Sequence, residues 1–272
     1  VQARDFLRFL FDWQRATRTT RMQGPDAVAS ILAQLEGFDA PAFAWESEIL
    51  PVRIAEYDPA WLDEQCLAGR IVWTRLAPRS AESVKGAAPV KATPIALLAR
   101  RNMKLWSNVI ERTEHTQLSS KAQCVAEIIE DQGASFFDEI VDHSGMLPIQ
   151  VEEALAELVA LGLVNSDSFG GLRALLLPSE RRRPMQSRRS SRGKRGLAIY
   201  GMQDAGRWAL VRKNERHTAS ALRDGPNGHA ASVHVSRTPP ASRSASDPAT
   251  IEHICRTLLA RWGIVFWKVI DR

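Results

Sequence analysis

The sequence predicts an α+β fold that is mainly helical, with small pairs of β-strands that follow groups of helices. Apolar residues recur at helical spacing in several short segments, and capping or helix-breaking residues separate these segments. Short apolar runs typical of strands follow the third helix of each group. The order of three helices and two strands occurs twice and begins a third time. The sequence therefore predicts tandem winged-helix units, with part of a β-barrel module as a further option.

The clearest unit covers residues 118–178. Ser120, with Gln123 three residues later, has the spacing of a capping box at the start of the first helix, and Gly133 ends that helix. Ser135 is expected to cap the second helix. The third helix is predicted at residues 148–162. The wing completes the unit, with strands at residues 163–164 and 172–177 and a turn at 165–171 between them.

Residues 1–110 hold an N-terminal amphipathic helix and an earlier unit of the same order. Pro25 starts the first helix of this unit and Gly37 ends it. Asp58 is expected to cap the third helix, with Pro59 in its first turn. Two strand-like runs and the wing tip between them follow, at residues 70–76, 93–99 and 77–92.

The rest of the chain divides into segments of different composition. Residues 179–196 are predicted to be a basic disordered linker, and residues 197–214 a short strand-like segment. Residues 215–246 are predicted to be a flexible linker, and residues 247–272 the start of a truncated third unit. In the third unit Asp247 is expected to cap a first helix, and residues 264–270 to form a second. Because the chain begins without Met inside a helix and stops before a third helix of this unit, we interpret it as an internal piece of a longer protein.

The positive charge of the chain is concentrated in the linker. The net charge is +5, but residues 179–195 carry eight Arg or Lys against one Glu, a local charge of +7, so the other residues together are at −2. Such a linker could hold several phosphates of a nucleic acid, or it could be a solvated connector in an Arg-rich protein. Charge alone leaves both interpretations open.

Motifs of catalysis are absent from the sequence. The Gly193–Lys194 pair is followed by Arg195 and has no phosphate-binding loop around it, and no G-x-S-x-G motif occurs. The acidic run Glu46 to Glu48 is interpreted as a surface helix rather than as a general base. The six His and three Cys are scattered, and the Cys are interpreted as reduced core residues. We therefore assign no catalytic, cofactor-binding or metal-binding residue.

The third helix of each unit is acidic, which argues against reading of the DNA major groove by these helices. Glu152, Glu153 and Glu157 lie on the later one, and Asp58 and Asp63 lie on the earlier one. Nucleic-acid binding is expected to use basic groups elsewhere. The candidates lie after the first wing, on it and in the linker: Arg100, Arg101, Lys104, Arg75, Arg79, Arg181, Arg182, Arg183, Arg188 and Arg189.

Several strings resemble the large helicase-related (Lhr) family of bacterial ATP-dependent helicases. They are RDFLRFLFDWQ at residues 4–14, QLEGF at 34–38, AWESEILP at 44–51, WLD at 61–63, TPIALLARR at 93–101, GASFF at 133–137, LGLVNSD at 161–167 and GRWALV at 206–211. The resemblance implies a parent protein that hydrolyses ATP with Mg²⁺, translocates 3′ to 5′ on DNA and takes part in DNA repair. It also implies that this piece belongs to the C-terminal accessory region, with the motor upstream.

The resemblance further implies the partners and the alternatives for this region. DNA, single-stranded or duplex and without sequence preference, and the upstream helicase core are the expected partners, and a homo-oligomer is a further option. A membrane is not expected as a partner, because no apolar run approaches the roughly 18 residues of a span, and a cytoplasmic location follows. A glycosylase-like domain that removes uracil and an oligomerisation module are the alternatives. No catalytic residue carries over, so we expect no cofactor and no catalysis from this segment alone.

Overall fold

A computed structural model describes residues 2–76, 93–107, 118–177, 201–211 and 248–265. Its helices are α1 (Ala3–Trp13), α2 (Asp26–Gln34), α3 (Ala42–Ala44), α4 (Leu50–Arg53), α5 (Pro59–Leu67), α6 (Met103–Ser107), α7 (Ser120–Gln132), α8 (Phe137–Ser144), α9 (Pro148–Ala160), α10 (Phe169–Leu176) and α11 (Pro248–Trp262). Its strands are β1 (Met22–Gln23), β2 (Ala40–Pro41), β3 (Ile54–Ala55), β4 (Ile71–Thr74), β5 (Pro94–Ala99), β6 (Ser135–Phe136), β7 (Val164–Ser166) and β8 (Arg207–Leu210). A π-helical turn at Trp45–Ile49 joins α3 to α4.

Two winged-helix units share one sheet topology. In the first unit, β2 and β4 both pair antiparallel with β5, in the order β2-β5-β4. In the second unit, β6 and β7 both pair antiparallel with β8, in the order β6-β8-β7. In both cases a two-residue strand before the second helix pairs with the last strand of the wing. The predicted α+β class with tandem winged-helix units is confirmed, and no closed barrel occurs in the described ranges.

The wing of the second unit differs from the prediction. Residues 172–177 were expected to form its second strand, but they belong largely to helix α10, which is capped by Ser168, whose Oγ accepts a hydrogen bond from Gly171 N at 3.1 Å. The second strand is β8, where Trp208 pairs with Ser135 and with Ser166. The strand-like segment predicted as a separate piece therefore belongs to the second unit.

Helix boundaries follow the predicted signals closely, with two corrections. Gly133 ends α7 at φ 84°, and Asp58 caps α5 by accepting from Ala60 N at 3.0 Å, as predicted. The cap of α7, however, is Ser119 and not Ser120. Ser135 caps no helix, because it lies in β6 and its hydroxyl donates to the Gly133 carbonyl at 3.0 Å.

The two units pack against each other through their wings and through α10. Trp73 of β4 and Trp208 of β8 are buried and meet edge to face, with ring centroids 6.3 Å apart. Trp73 Nε1 donates to the Ser168 carbonyl at 2.9 Å, which ties the first wing to the start of α10. Since the buried apolar residues of both units belong to one continuous cluster, the units form a single packed body.

Helix α11 packs on the first unit. Trp13 Nε1 of α1 donates to the Ala260 carbonyl at 2.9 Å, and the Arg261 guanidinium donates to the Glu36 carbonyl at the end of α2. Ile254 contacts the small apolar cluster around Trp106. The helix was predicted to open a third unit, and its predicted cap at Asp247 lies outside the described residues. Ile264 and the residue after it are not helical, and the rest of the predicted second helix also lies outside the described ranges.

No helix in the described ranges is long and apolar enough to span a membrane.

Candidate nucleic-acid interface

Four basic residues lie together at one edge of the first unit, where β5 ends and β4 begins. Arg100 and Arg101 form a 3₁₀ turn directly after β5, and Lys104 follows in α6; all three are exposed. Arg70 lies beside them, because Arg100 N donates to the Arg70 carbonyl at 2.9 Å, and it is exposed as well. We call Arg70, Arg100, Arg101 and Lys104 the basic edge. The sequence identified three of them and missed Arg70.

The local sequence explains why these groups meet. Gly69 adopts φ 67°, a left-handed conformation that ends α5 and turns the chain into β4. The antiparallel register then places Ile71 opposite Ala99, so the residue before β4 and the residue after β5 are neighbours. Arg70 could have been predicted from this hairpin register, because the strand-like runs of the sequence are both flanked by Arg on the same side.

A groove of about 530 Å³ runs along the basic edge. The outer face of α2 provides its apolar floor through Ala29, Leu32 and Ala33, and Ile71 continues the floor. Arg70, Arg100 and Arg101 line the same groove, and Gln65 of α5 lines it too. The site thus combines an apolar surface, cationic guanidinium groups and one amide, which is a composition suited to a flat ligand with an anionic group.

Glu36 also lines the groove, but hydrogen bonds occupy its carboxylate. The carboxylate accepts from Ala99 N at 3.2 Å, from Asn102 Nδ2 at 2.9 and 3.0 Å, and from Trp106 Nε1 at 3.3 Å. His253 Nε2 of α11 lies 3.7 Å from it. Glu36 therefore holds the turn after β5 and α11 in place, and the exposed charges at the mouth of the groove are the arginines.

The other basic candidates of the sequence do not join this edge. Arg75 is 4% exposed and its Nη1 donates to the Ala160 carbonyl at the end of α9, so it is a contact between the two units. This burial removes Arg75 from the candidate set for phosphate binding. The remaining candidates lie outside the described residues: Arg79, Arg181, Arg182, Arg183, Arg188 and Arg189.

Three carboxylates of the acidic third helices have partners within the protein. On α9, Glu153 pairs with Lys121 of α7 at 2.9 Å. Glu157 accepts from the backbone N and the hydroxyl of Ser119, at 2.8 and 2.6 Å. On α5, Asp63 pairs with Arg173 of α10 at 3.0 Å. These helices serve packing between elements, in keeping with the expectation that they do not face a phosphate backbone.

A buried ion cluster joins α10 to the first unit. Arg173 binds Glu46 with two hydrogen bonds of 2.8 Å from Nε and Nη2, and it binds Asp63 through Nη1 at 3.0 Å. Tyr57 completes the cluster by donating its hydroxyl to Glu46 at 3.2 Å. Glu46 was predicted on a surface helix, but its side chain is 9% exposed, because α10 covers it.

The electrostatics of this cluster favour a permanent ion pair. Burial alone would lower the pKa of Arg173, but the hydrogen bonds and the attraction of Glu46 and Asp63 outweigh it, so the pKa lies above its ordinary value. Burial, and next the charge of Glu46, raise the pKa of the Tyr57 hydroxyl, which therefore stays protonated as a donor. Burial also raises the pKa of the Glu46 carboxyl above its ordinary value, and the hydrogen bonds and charge of Arg173 oppose this rise. Arg173 and Tyr57 occupy both oxygens of Glu46, so the cluster is structural.

In the part of the chain that the structure describes, no three His, Cys, Asp or Glu side chains are grouped closely enough to hold a metal ion.

Fold and site together define a tandem winged-helix protein with a cationic groove. Comparison with known proteins shows what the chain is similar to. Residues 1–100 match the family model described as the winged-helix domain of the large helicase-related protein. The chain is 29% identical over 211 residues to the Lhr helicase/uracil glycosylase of Escherichia coli K12, covering 70% of this chain and 13% of that protein. It is 27% identical over 218 residues to the Lhr helicase/probable uracil glycosylase of Mycolicibacterium smegmatis, covering 76% of this chain and 14% of that protein.

The chain is thus similar to large helicase-related proteins over most of its length, and its first 100 residues match their winged-helix domain, in line with the sequence resemblance. It corresponds to an accessory region of these helicases and spans about one seventh of the length of the two relatives.

Proposed function

We propose that this chain is a nucleic-acid-binding and scaffold region that works with the motor of an Lhr-type ATP-dependent helicase. In this proposal the helicase translocates 3′ to 5′ on DNA and takes part in DNA repair in the cytoplasm. The observation that carries the proposal is the basic edge, which is exposed in the unit that matches the family's winged-helix domain. The acidic third helices support it in a second way, because Glu153 and Asp63 form ion pairs within the protein and these helices offer no basic surface to a phosphate backbone.

Binding at this edge is expected to be independent of sequence. Arg and Lys that neutralise phosphates release counterions, so affinity falls steeply as salt rises. Arg100, Arg101 and Lys104 sit on a turn and a short helix and do not project from a recognition helix, so they contact the backbone of a strand and not the base edges of a major groove. ATP and Mg²⁺ belong, in this proposal, to the motor.

The test is charge reversal of the basic edge. In the full chain, Arg100→Glu, Arg101→Glu and Lys104→Glu together should weaken binding to single-stranded and duplex DNA and lower the slope of log K against log salt by about 2, since each phosphate contact contributes roughly 0.7–0.9. Fluorescence anisotropy over a salt series measures both quantities.

A matched control makes the same change of charge elsewhere. Arg4, Arg8 and Arg18 are exposed residues at and beyond α1, away from the basic edge, and their joint reversal to Glu should leave most of the affinity intact. Equal losses in the two triple variants would mean that total charge alone governs binding, and the proposal would then be wrong.

The names of the two relatives favour one second candidate, uracil removal from DNA. Such a reaction needs a group that activates water at the glycosidic bond. Within the described residues the buried carboxylates Glu36 and Glu46 are held by hydrogen bonds and an ion pair, so neither serves as this base. Incubation of the full chain with uracil-containing DNA tests this candidate, and release of uracil would establish it. Light scattering of the same sample tests the further option of a homo-oligomer.

A further inference from the structure

One polar group of the groove has no partner. Gln65 of α5 is 7% exposed and lines the groove, and within the described residues its Oε1 is buried without a hydrogen bond. Its place in the fold is fixed, because Gln65 O accepts from Arg70 N at 3.1 Å as α5 ends. Buried amides are normally satisfied, so an orphaned one beside an open groove indicates the position of a polar ligand atom.

The surroundings of Gln65 restrict the shape of that ligand. Ala29 and Ala33 lie one helical turn apart on the outer face of α2, and both are exposed, so their methyl groups form a shallow apolar floor. Arg100 and Arg101 stand at the rim. A ligand that fills this site has a flat apolar face, a polar edge and a phosphate attached at one side.

We propose that the groove holds one unpaired nucleotide of a DNA single strand. The base lies on the floor formed by Ala29 and Ala33, its hydrogen-bonding edge meets the Gln65 amide, and Arg100 and Arg101 hold the adjoining phosphates. The proposal rests on the proposed function, in which the basic edge binds DNA, and adds that this edge distinguishes unpaired strands. A duplex does not satisfy the site, because its base edges are paired and its base faces are stacked.

The experiment separates bases from phosphates. The full 272-residue chain is titrated with two labelled single strands of about a dozen nucleotides, one of adenine nucleotides and one in which every base is replaced by an abasic analogue. The two strands carry the same phosphates. The wild type should bind the base-bearing strand roughly tenfold more tightly, the effect expected of one well-held base.

Two variants remove the base site and one controls for them. Ala29→Leu with Ala33→Leu fills the floor, and Gln65→Leu removes the amide at similar volume; both should reduce the preference to within about twofold while affinity for the abasic strand stays unchanged. Ser30→Leu adds an apolar side chain at an exposed position of α2 outside the groove and should keep the preference. Thermal unfolding verifies that the variants fold, and Gln65→Leu is expected to be neutral because it deletes an unpartnered group.

The outcomes distinguish this inference from the function on which it rests. Equal binding of the two strands by the wild type, or a preference that survives in the filled and Gln65→Leu variants, overturns the nucleotide site. Reversal of Arg100, Arg101 and Lys104 should weaken both strands together. If that reversal leaves the abasic strand bound as tightly as in the Arg4, Arg8 and Arg18 control, the proposed function itself fails, whatever the base preference.

Discussion

Replacement of Arg173 by Met should destabilise the protein more than any loss of a surface ion pair. The Arg173 and Glu46 side chains are 8% and 9% exposed, and Asp63 is 27% exposed. Met fills much of the same space but leaves the Glu46 carboxylate buried, with the Tyr57 hydroxyl as its remaining donor in the cluster. Removing one partner of a buried pair costs about 3–5 kcal/mol, and the partial exposure of Asp63 favours the lower end of this range.

Urea denaturation followed by tryptophan fluorescence measures this loss. With a denaturant slope of about 3 kcal/mol per M, a cost of about 3 kcal/mol moves the midpoint down by about 1 M. The matched control is Arg256→Met, which breaks an exposed pair with Glu252 one turn away on α11, where the side chains are 78% and 63% exposed. That pair is worth about 0.3–0.5 kcal/mol, so its midpoint should move by less than about 0.2 M.

A second substitution tests the cause. If the cost arises from a stranded negative charge, Glu46→Gln in the Arg173→Met background should recover more than half of the lost free energy, because a neutral amide is cheaper to bury. A midpoint for Arg173→Met that matches the Arg256→Met control would refute the reasoning, since the cluster would then contribute no more than a surface pair. Lack of recovery in the double variant would refute the charge explanation while leaving the packing contribution in place.

Two further predictions use matched positions. Gly37→Ala should lower the free energy of unfolding by roughly 3 kcal/mol, because Gly37 adopts φ 70° and a Cβ would lie 2.1 Å from Trp106 Cη2. Gly24→Ala, at φ 79° with no atom within 4 Å, should lower it by roughly 1 kcal/mol in the same urea assay. Equal losses would contradict the close approach at Gly37. Burial, and next the charge of a nearby carboxylate, raise the pKa of the Cys66 thiol to about 12. A thiol reagent at about pH 8 should therefore modify exposed Cys255 in the native protein and Cys66 only after unfolding, as measured by peptide mass spectrometry. Labelling of Cys66 in the native protein would show that its burial is incomplete.

Local signals of the sequence predicted the helices well, and the reason is physical. Asp58 and Gly133 act on the backbone within one turn, through a cap hydrogen bond or a left-handed φ, so their effect is visible without the tertiary fold. Short apolar runs lack this property. Residues 172–177 are buried on nearly every side, so they show neither the alternation of apolar and polar residues in a strand nor the apolar stripe of a helix. The cap at Ser168 is hard to recognise in the sequence, because two glycines follow in the first turn of the helix.

The site was only partly predictable for a related reason. Exposure of Arg100 and Arg101 follows from their place after an apolar strand, but burial of Arg75 depends on the second unit, whose α9 ends against it. In the same way, Cys255 was expected in a core, but it faces solvent because α11 packs on the first unit by its other side. Both errors arise from contacts between segments far apart in sequence, about which periodicity carries no information.

Strand β4 connects the contact between the two units with the groove of the proposed DNA site. At its end, Trp73 and Arg75 reach Ser168 and α9 of the second unit, so this end is fixed in the junction. At the opposite end, Arg70 directly precedes the first residue of the same strand and lines the groove. Because a paired strand is rigid over this length, a nucleotide strand held at Arg70 has a defined position relative to the second unit. The proposed scaffold role and the proposed binding role therefore depend on the same short element. A substitution that loosens the junction should also make the position of a bound strand less well defined.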